Sequence, residues 1–161
     1  MIDNPLTKDE YVTKIKKLAT LYVDLKEENL SPINIKSMIC QVQRNFNMVI
    51  EFAVEALDNR VLAMRLLRSA KTNHDLNYSN ALMSDDVKKL GSAELRKAGA
   101  IKGSIESARD VDAAACNKDQ ADSYYDSVRL MYDDLRMAYE TLKEQTKLFQ
   151  STLYLEATKG A

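Results

Sequence analysis

No proline follows Pro32 in this 161-residue chain, and the first glycine is Gly91. Because proline breaks helices and glycine weakens them, their absence permits long uninterrupted helices. Apolar side chains recur at helical spacing over residues 33–83, and helical patterning resumes over 93–157. The sequence therefore predicts an all-α fold, in which a long helical hairpin with coiled-coil-like packing follows a short N-terminal helix.

Capping residues mark the starts of these helices. Thr7 and Glu10 have the spacing of a capping box and predict a helix that ends near residue 28. Ser31 is a helix-capping residue before Pro32, which suits the first position of a helix. Ser92 is a capping residue at the start of the last long helix. We expect a single structural domain overall, in two parts: an N-terminal helix, 1–30, and an elongated hairpin and oligomerisation unit with a basic tip, 31–161.

The carboxyl half of the last helix carries an apolar heptad seam, called here the α5 seam. Its spacings of four and three residues, counted through Thr146 as the one polar position, give the 3.5-residue period that keeps one edge of a helix against a partner helix. The members are Val128, Tyr132, Leu135, Tyr139, Leu142, Phe149 and Leu153. The pattern alone does not say whether the partner helix belongs to the same chain.

A second apolar segment, 48–67, has apolar residues on more than one side of its helix. That pattern is typical of a helix packed between two partners, so we expect this segment at the centre of the core. Three helices cannot cover both this segment and the α5 seam. The sequence therefore predicts a homo-oligomer held by the α5 seam.

Residues suited to catalysis are few and isolated. The single histidine, His74, lacks a convergent partner and is expected at the surface, as are the acidic pairs such as Asp85 and Asp86. Cys40 and Cys116 are expected to be buried thiols in a reducing compartment. The sequence has no phosphate-binding loop, nucleophile elbow or zinc motif. We expect no enzymatic activity, no cofactor, no metal and no small-molecule substrate.

The sequence also lacks the signals of membrane insertion and secretion. No stretch approaches the ~18 uninterrupted apolar residues of a membrane span. The N-terminus has neither the basic start nor the apolar run of a signal peptide. We expect a cytoplasmic protein without membrane partners, in the host cytoplasm if a phage encodes it.

Charge is distributed unevenly. Residues 60–103 hold nine Lys/Arg against four Asp/Glu, a net charge of +5, and residues 104–140 hold four against nine, a net charge of −5. A cationic helical surface suits phosphate groups, and in a hairpin the cations on either side of the turn would converge near its tip. The candidate nucleic-acid-binding residues are Arg60, Arg65, Arg68, Lys71, Lys88, Lys89, Arg96 and Lys97. Pairing with the acidic stretch of a neighbouring subunit and a plain solvated face are the alternatives.

Gly99 and Gly103 lie one turn apart inside a predicted helix. Each glycine costs a helix ~1 kcal/mol relative to alanine, which suggests that the position needs a small residue. Close approach of another helix and a flexible point in the helix are two such reasons. A tolerated loss of helix propensity is the alternative.

The order of several segments resembles the UvsY-type recombination mediators of tailed phages. The segments are a basic helix, 65–71, then Tyr78, a polar turn, the run 92–97, and a long apolar-seamed helix that ends in 152–157. The resemblance implies a helical protein that binds single-stranded DNA, assembles into rings and helps to load a recombinase in place of a single-strand binding protein. It implies DNA contacts at Arg65, Arg68 and Lys71.

These observations predict a non-catalytic, oligomeric accessory protein of DNA recombination or replication. Its expected partners are further copies of itself and single-stranded DNA, with a recombinase or a single-strand binding protein as a further partner. The alternative is a structural or adaptor protein of a phage or bacterium that acts through helix-mediated protein contacts, without nucleic acid.

Overall fold

The computed structural model describes residues 6–25 and 30–159, with only the backbone for 155 and 157–159. This part of the chain contains five helices and no β-strand, which confirms the all-α prediction. The long helices α2 and α5 pack against each other, as the predicted hairpin requires. The helices are α1 (Lys8–Ala19), α2 (Pro32–Met83), α3 (Asp85–Lys88), α4 (Ala93–Gly103) and α5 (Ile105–Lys159).

The chain forms two compact units, and both long helices contribute to each. Among the described residues, unit 1 comprises 6–11 and Leu57–Ser123, and unit 2 comprises Val12–Ala56 and 124–159. Unit 1 therefore holds α3, α4 and the adjoining parts of α2 and α5. Unit 2 holds most of α1 and the remaining parts of α2 and α5.

The predicted caps are present. The backbone N–H of Thr7 donates to Glu10 Oε2 (2.7 Å), and the Glu10 N–H donates to Thr7 Oγ1 (3.4 Å), which completes the capping box of α1. Ser31 Oγ accepts from Asn34 N–H (3.3 Å) at the start of α2. Ser92 Oγ accepts from Leu95 N–H (3.1 Å) at the start of α4.

Helix α1 ends at Ala19, earlier than the sequence predicts, and the predicted end near residue 28 lies outside the described residues. The Thr20 hydroxyl donates to the Lys17 carbonyl (2.7 Å), which closes the last turn. The next residues bury Leu21 and Val23, two positions apart, as an extended segment does. The buried Asn45 side chain donates to the Leu21 carbonyl (2.6 Å), so a tertiary hydrogen bond replaces a helical one.

The sequence predicts one long helix over residues 93–157, but the structure breaks it at Ser104. The buried Ser104 hydroxyl donates to the Ala100 carbonyl (3.0 Å) and lies 3.3 Å from the Ile101 carbonyl. Serine side chains compete in this way for helical carbonyls and bend helices. The break separates α4 from α5, whereas residues around Asn117 remain helical.

The two glycines of α4 lie at close contacts within unit 1. A Cβ on Gly103 would stand 3.0 Å from the Ala81 Cβ of α2. A Cβ on Gly99 would stand 3.1 Å from side-chain atoms of Val87 and Leu90, which lie on and just after α3. Close approach of neighbouring elements is therefore the reason for these glycines.

The core of unit 2 follows coiled-coil spacing. On α2 the buried residues Ile35, Val42 and Val49 recur every seven positions, and α5 buries Val128, Leu135 and Leu142 at the same interval. Helix α1 and the segment after it add Leu18, Leu21 and Val23 to the core. The packed side chains here are mostly large and apolar.

The core of unit 1 is built from smaller and more polar residues. Ala63, Ala100 and Ala121 are fully buried, together with Asn59 and Ser104. Small side chains let helices approach closely but remove little apolar surface from water. Unit 1 therefore has a thinner hydrophobic core than unit 2.

The 48–67 segment differs from the prediction of a helix covered on two sides. Val49, Ala56 and Ala63 are buried and four other apolar side chains of the segment are half-buried, but seven are exposed. The exposed ones are Met48, Ile50, Val54, Leu57, Val61, Met64 and Leu66. Within the part of the chain that the structure describes, this helix is thus covered on one side.

Candidate nucleic-acid interface

Arg65, Arg68 and Lys71 form an exposed cationic patch on α2, called here the α2 patch. They follow each other at intervals of three on the part of α2 that belongs to unit 1. The buried Asn59 and Ala63 take the core-facing positions of the same stretch, so the cations point away from the core. Long basic side chains on a helix surface can reach successive phosphates of a flexible strand.

Arg60 does not belong to this patch. Its Nε donates to Asp122 Oδ1 of α5 (2.8 Å), and Lys118 donates to the other oxygen of the same carboxylate. The hydrogen bond with Asp122 raises the pKa of Lys118, while those from Lys118 and Arg60 lower the pKa of Asp122. This cluster is a structural tie between α2 and α5, so Arg60 is a poor candidate for a phosphate contact.

The remaining candidates form a second patch at the turn end of unit 1, called here the tip patch. Lys88 ends α3, Lys89 follows it, and Arg96 and Lys97 lie in the second turn of α4. All four side chains are exposed, and Arg96 Nε also lies 3.5 Å from the Ser92 carbonyl.

The two patches remain apart on unit 1. Lys71 precedes the end of α2 at Met83 by three turns, roughly 18 Å at ~1.5 Å per residue. The cations on either side of the turn therefore do not converge at the tip as the sequence suggested. A bound strand would have to pass along α2 to touch both.

None of the seven cations in the two patches forms an ion pair with another described residue. Their charges therefore remain available to an anionic ligand. Acidic residues of α5 lie in the same unit, notably Glu106, Asp110 and Asp112, and all three are exposed. Unit 1 is thus a cationic helix beside an acidic one, which favours a ligand that lies on the α2 patch over one that covers the whole unit.

A cleft of about 590 Å³ opens between α2 and α5 in unit 1. Arg65 is one residue before Leu66 and one turn before Ser69, both of which line it, so the α2 patch borders the cleft. The walls of the cleft are rich in asparagine side chains, a feature that the charge pattern of the sequence did not reveal. The lining residues are Leu66, Ser69, Ala70, Asn73, Leu76, Asn77, Asn80, Ser107, Asp110 and Ala114.

The titratable residues considered for catalysis are scattered. His74, expected at the surface, is half-buried, and its Nδ1 is 3.1 Å from the Ser107 hydroxyl, which itself donates to the Ser104 carbonyl. Cys40 and Cys116 are free thiols and exposed, so the expectation that they are buried is wrong. Within residues 6–25 and 30–159, no group of three His, Cys, Asp or Glu is placed to hold a metal ion.

The α5 seam lies in unit 2 and is largely covered by the chain itself. Val128, Leu135 and Leu142 are buried in the core described above. Tyr139 and Phe149 are half-buried, whereas Tyr132 and Leu153 are exposed. Tyr132 also makes an edge-to-face contact with Phe46 of α2, with ring centroids 5.4 Å apart. The facing helices of this seam thus belong to the same chain, and a role in joining subunits stays a prediction for its exposed members.

No family model, curated protein or solved structure matches this chain. Among the described helices, none combines the length and the apolar character needed to cross a membrane.

Proposed function

We propose that this protein is a non-catalytic accessory protein of DNA recombination or replication that binds single-stranded DNA on the basic surface of unit 1. The observation that supports it most directly is that seven cations of the α2 and tip patches are exposed and form no ion pair with the residues that the structure describes. The resemblance to UvsY-type mediators supports the same ligand and adds a recombinase or a single-strand binding protein as a partner. The proposed place of action is the cytoplasm, the host's if a phage encodes the chain.

The proposed mechanism is electrostatic and multivalent. Arginine and lysine side chains replace the counterions of the phosphate backbone, so the affinity comes from counterion release and not from base recognition. Three cations in the α2 patch hold a strand weakly. Several subunits bound along one strand raise the overall affinity, because each further contact is intramolecular.

A salt series with a labelled oligonucleotide tests this proposal. Replacing Arg65, Arg68 and Lys71 together by Ala should weaken binding about equally for any sequence. The slope of the logarithm of affinity against that of salt should fall in magnitude by roughly 0.7 for each phosphate that the variant no longer binds. Helicity should be retained, since alanine is a good helix former and the three side chains are exposed.

The matched control removes three positive charges, the same number, from unit 2. Lys36, Arg44 and Arg136 are exposed cations of α2 and α5 outside both patches. Their triple alanine variant should bind DNA with nearly unchanged affinity. If the unmodified protein fails to bind at low salt, the nucleic-acid proposal is wrong. If both triple variants bind equally well, the DNA is held elsewhere, and the tip patch is the next surface to test.

A second candidate function is favoured by a separate observation. The exposed apolar residues of α2 include Ile50 and Val54 in unit 2 and Leu57, Val61 and Met64 in unit 1. Apolar side chains in a row on a helix surface mark a protein-binding site more often than a solvated face. An adaptor protein that acts through helix-mediated contacts, without nucleic acid, would use this surface.

A further inference from the structure

Helix α2 carries two apolar stripes with heptad spacing, and among the described residues one stripe is buried and the other exposed. The covered stripe includes Val42, Val49, Ala56 and Ala63, seven residues apart and buried. The uncovered one alternates spacings of four and three and is called here the α2 stripe. It consists of Ile50, Val54, Leu57, Val61 and Met64.

The α2 stripe is exposed on the parts of α2 that belong to each unit. Unit 2 leaves Val54 60% exposed, and unit 1 leaves Leu57 49% exposed. All five residues belong to one helix, so their spacing alone puts them on one face. Burial of such a face against another helix removes apolar surface from water, which is the main driving force of helix association.

The order of residue types on this face is that of a two-stranded coiled coil. Counted in heptads, the a positions hold Asn47, Val54 and Val61, and the d positions hold Ile50, Leu57 and Met64, with leucine at the centre. β-Branched residues at a, leucine at d and one asparagine at an a position favour two parallel strands in register. Asn47 is exposed, as that position requires. We propose that α2 forms a parallel coiled coil, through residues 47–64, with α2 of a second copy of this chain.

The charges beside the α2 stripe favour the parallel orientation. In the antiparallel register that opposes Val54 with Leu57, the exposed Glu51 would face Asp58 of the other copy, and Arg44 would face Arg65, both like-charged pairs. If the antiparallel helices are shifted by one heptad, Asp58 of one copy faces Asp58 of the other, which is again a like-charged pair. The same shift places the charged Arg68 of one copy against the apolar Ile50 of the other.

The parallel dimer has one like-charged pair beside the stripe. Arg60 would stand near Arg65 of the second copy, and Asp122 of its own chain, which Lys118 also binds, compensates the charge of Arg60 only in part. The next a and d positions after Met64 are Arg68 and Lys71, which end the apolar contact. A dimer would thus bring two α2 patches together at the end of the coiled coil. The proposal stands independently of DNA binding, because it rests on the apolar stripe.

Cys40 provides a direct test of the orientation. It occupies the a position one heptad before Asn47 and is exposed. A disulfide needs Cα atoms within about 7 Å, which two Cys40 residues meet only in a parallel, in-register pair. Mild oxidation with copper phenanthroline should give a covalent dimer on a non-reducing gel. Cys40→Ser should abolish this product, and Cys116→Ser, which changes the other exposed thiol, should retain it.

Sedimentation equilibrium tests whether the α2 stripe is the dimer interface. The unmodified chain should be a dimer at tens of micromolar, and Val54→Asp should convert it into a monomer, since it places a charge in the interface. Leu130→Asp, at a site 65% exposed on α5, is the control and should remain dimeric. Circular dichroism should show equal helicity in all three proteins. A monomeric unmodified chain, a Val54→Asp variant that stays dimeric, or cross-linking through Cys116 would each overturn the proposal.

Discussion

Arg60 and Asp122 form a salt bridge of 2.8 Å that joins α2 to α5 within unit 1. Lys118 binds the same carboxylate from one turn away, so Asp122 holds two cations together. The side chain of Asp122 is 25% exposed, which makes this cluster more protected from water than an ordinary surface ion pair. Unit 1 has a core of small residues, so a polar tie of this kind contributes a larger share of its stability.

Asp122→Asn should destabilise the protein by about 1–2 kcal/mol, because the substitution leaves two neighbouring cations without their anion. Urea denaturation followed by circular dichroism measures the loss. Asp119→Asn is the matched control, since Asp119 lies 3.8 Å from Lys118 but is 79% exposed. The control should change the free energy of unfolding by less than about 0.5 kcal/mol. Equal effects of the two substitutions would contradict the structural role of Asp122.

The stabilisation by Asp122 should depend on pH in one direction. Its folded-state pKa lies below the ordinary value of 3.8, mainly through the hydrogen bond from Lys118. The contribution is therefore complete above 3.8 and disappears as the pH falls through the lower, folded-state pKa. Urea titrations from neutral pH to below pH 3.8 should show the difference in unfolding free energy between the unmodified protein and Asp122→Asn shrinking as the pH falls. A difference in unfolding free energy that stays constant into acid would argue against this assignment.

Leu142→Ala should destabilise unit 2 by about 2–5 kcal/mol, because the fully buried side chain leaves a cavity in the core. Leu148→Ala on the same helix, at a site 59% exposed, should cost less than about 1 kcal/mol. Thermal or urea unfolding compares the two variants. If Leu142 served only to join subunits, its replacement would dissociate an oligomer and leave the stability of the chain unchanged.

Gly103→Ala should destabilise unit 1 although alanine is the better helix former. The new Cβ would lie 3.0 Å from the Ala81 Cβ, which cannot rotate away, so one helix must shift. Overpacking of this kind costs about 1–3 kcal/mol, more than the gain in helix propensity of up to ~1 kcal/mol. Gly91→Ala, with nothing within 4 Å of the new Cβ, is the control and should be close to neutral. A more stable Gly103→Ala variant would show that the approach of α4 to α2 is loose.

Local patterns in the sequence predicted the local features of the fold. Thr7 with Glu10, Ser31 and Ser92 act as caps because capping depends on residues only three positions apart. The 3.5-residue period of the α5 seam correctly marked a helical edge that packs against another helix, since periodicity determines which side chains share a face. The early end of α1 escaped prediction because Leu21 bonds to Asn45, 24 residues away.

The candidate site was predicted only in part, for the same reason. Arg65, Arg68 and Lys71 are exposed as their helical positions suggested. Arg60 looked equivalent to them in sequence, but its partner Asp122 is 62 residues away and only the packing of α5 on α2 reveals it. Cys40 and Cys116 were expected to be buried from the usual behaviour of free cysteine, which takes no account of their positions on the helices.

The sequence by itself determined the helices, their starts and the apolar edges along them, because these follow from interactions within one or two helical turns. The tertiary structure decided which apolar edges become core. Two heptad stripes on α2 look alike in sequence, yet Val49 is buried and Val54 is exposed, because α1 and α5 supply enough apolar surface to cover only one side of the helix. Burial is a property of partners distant in the chain, and the period of one helix carries no information about them.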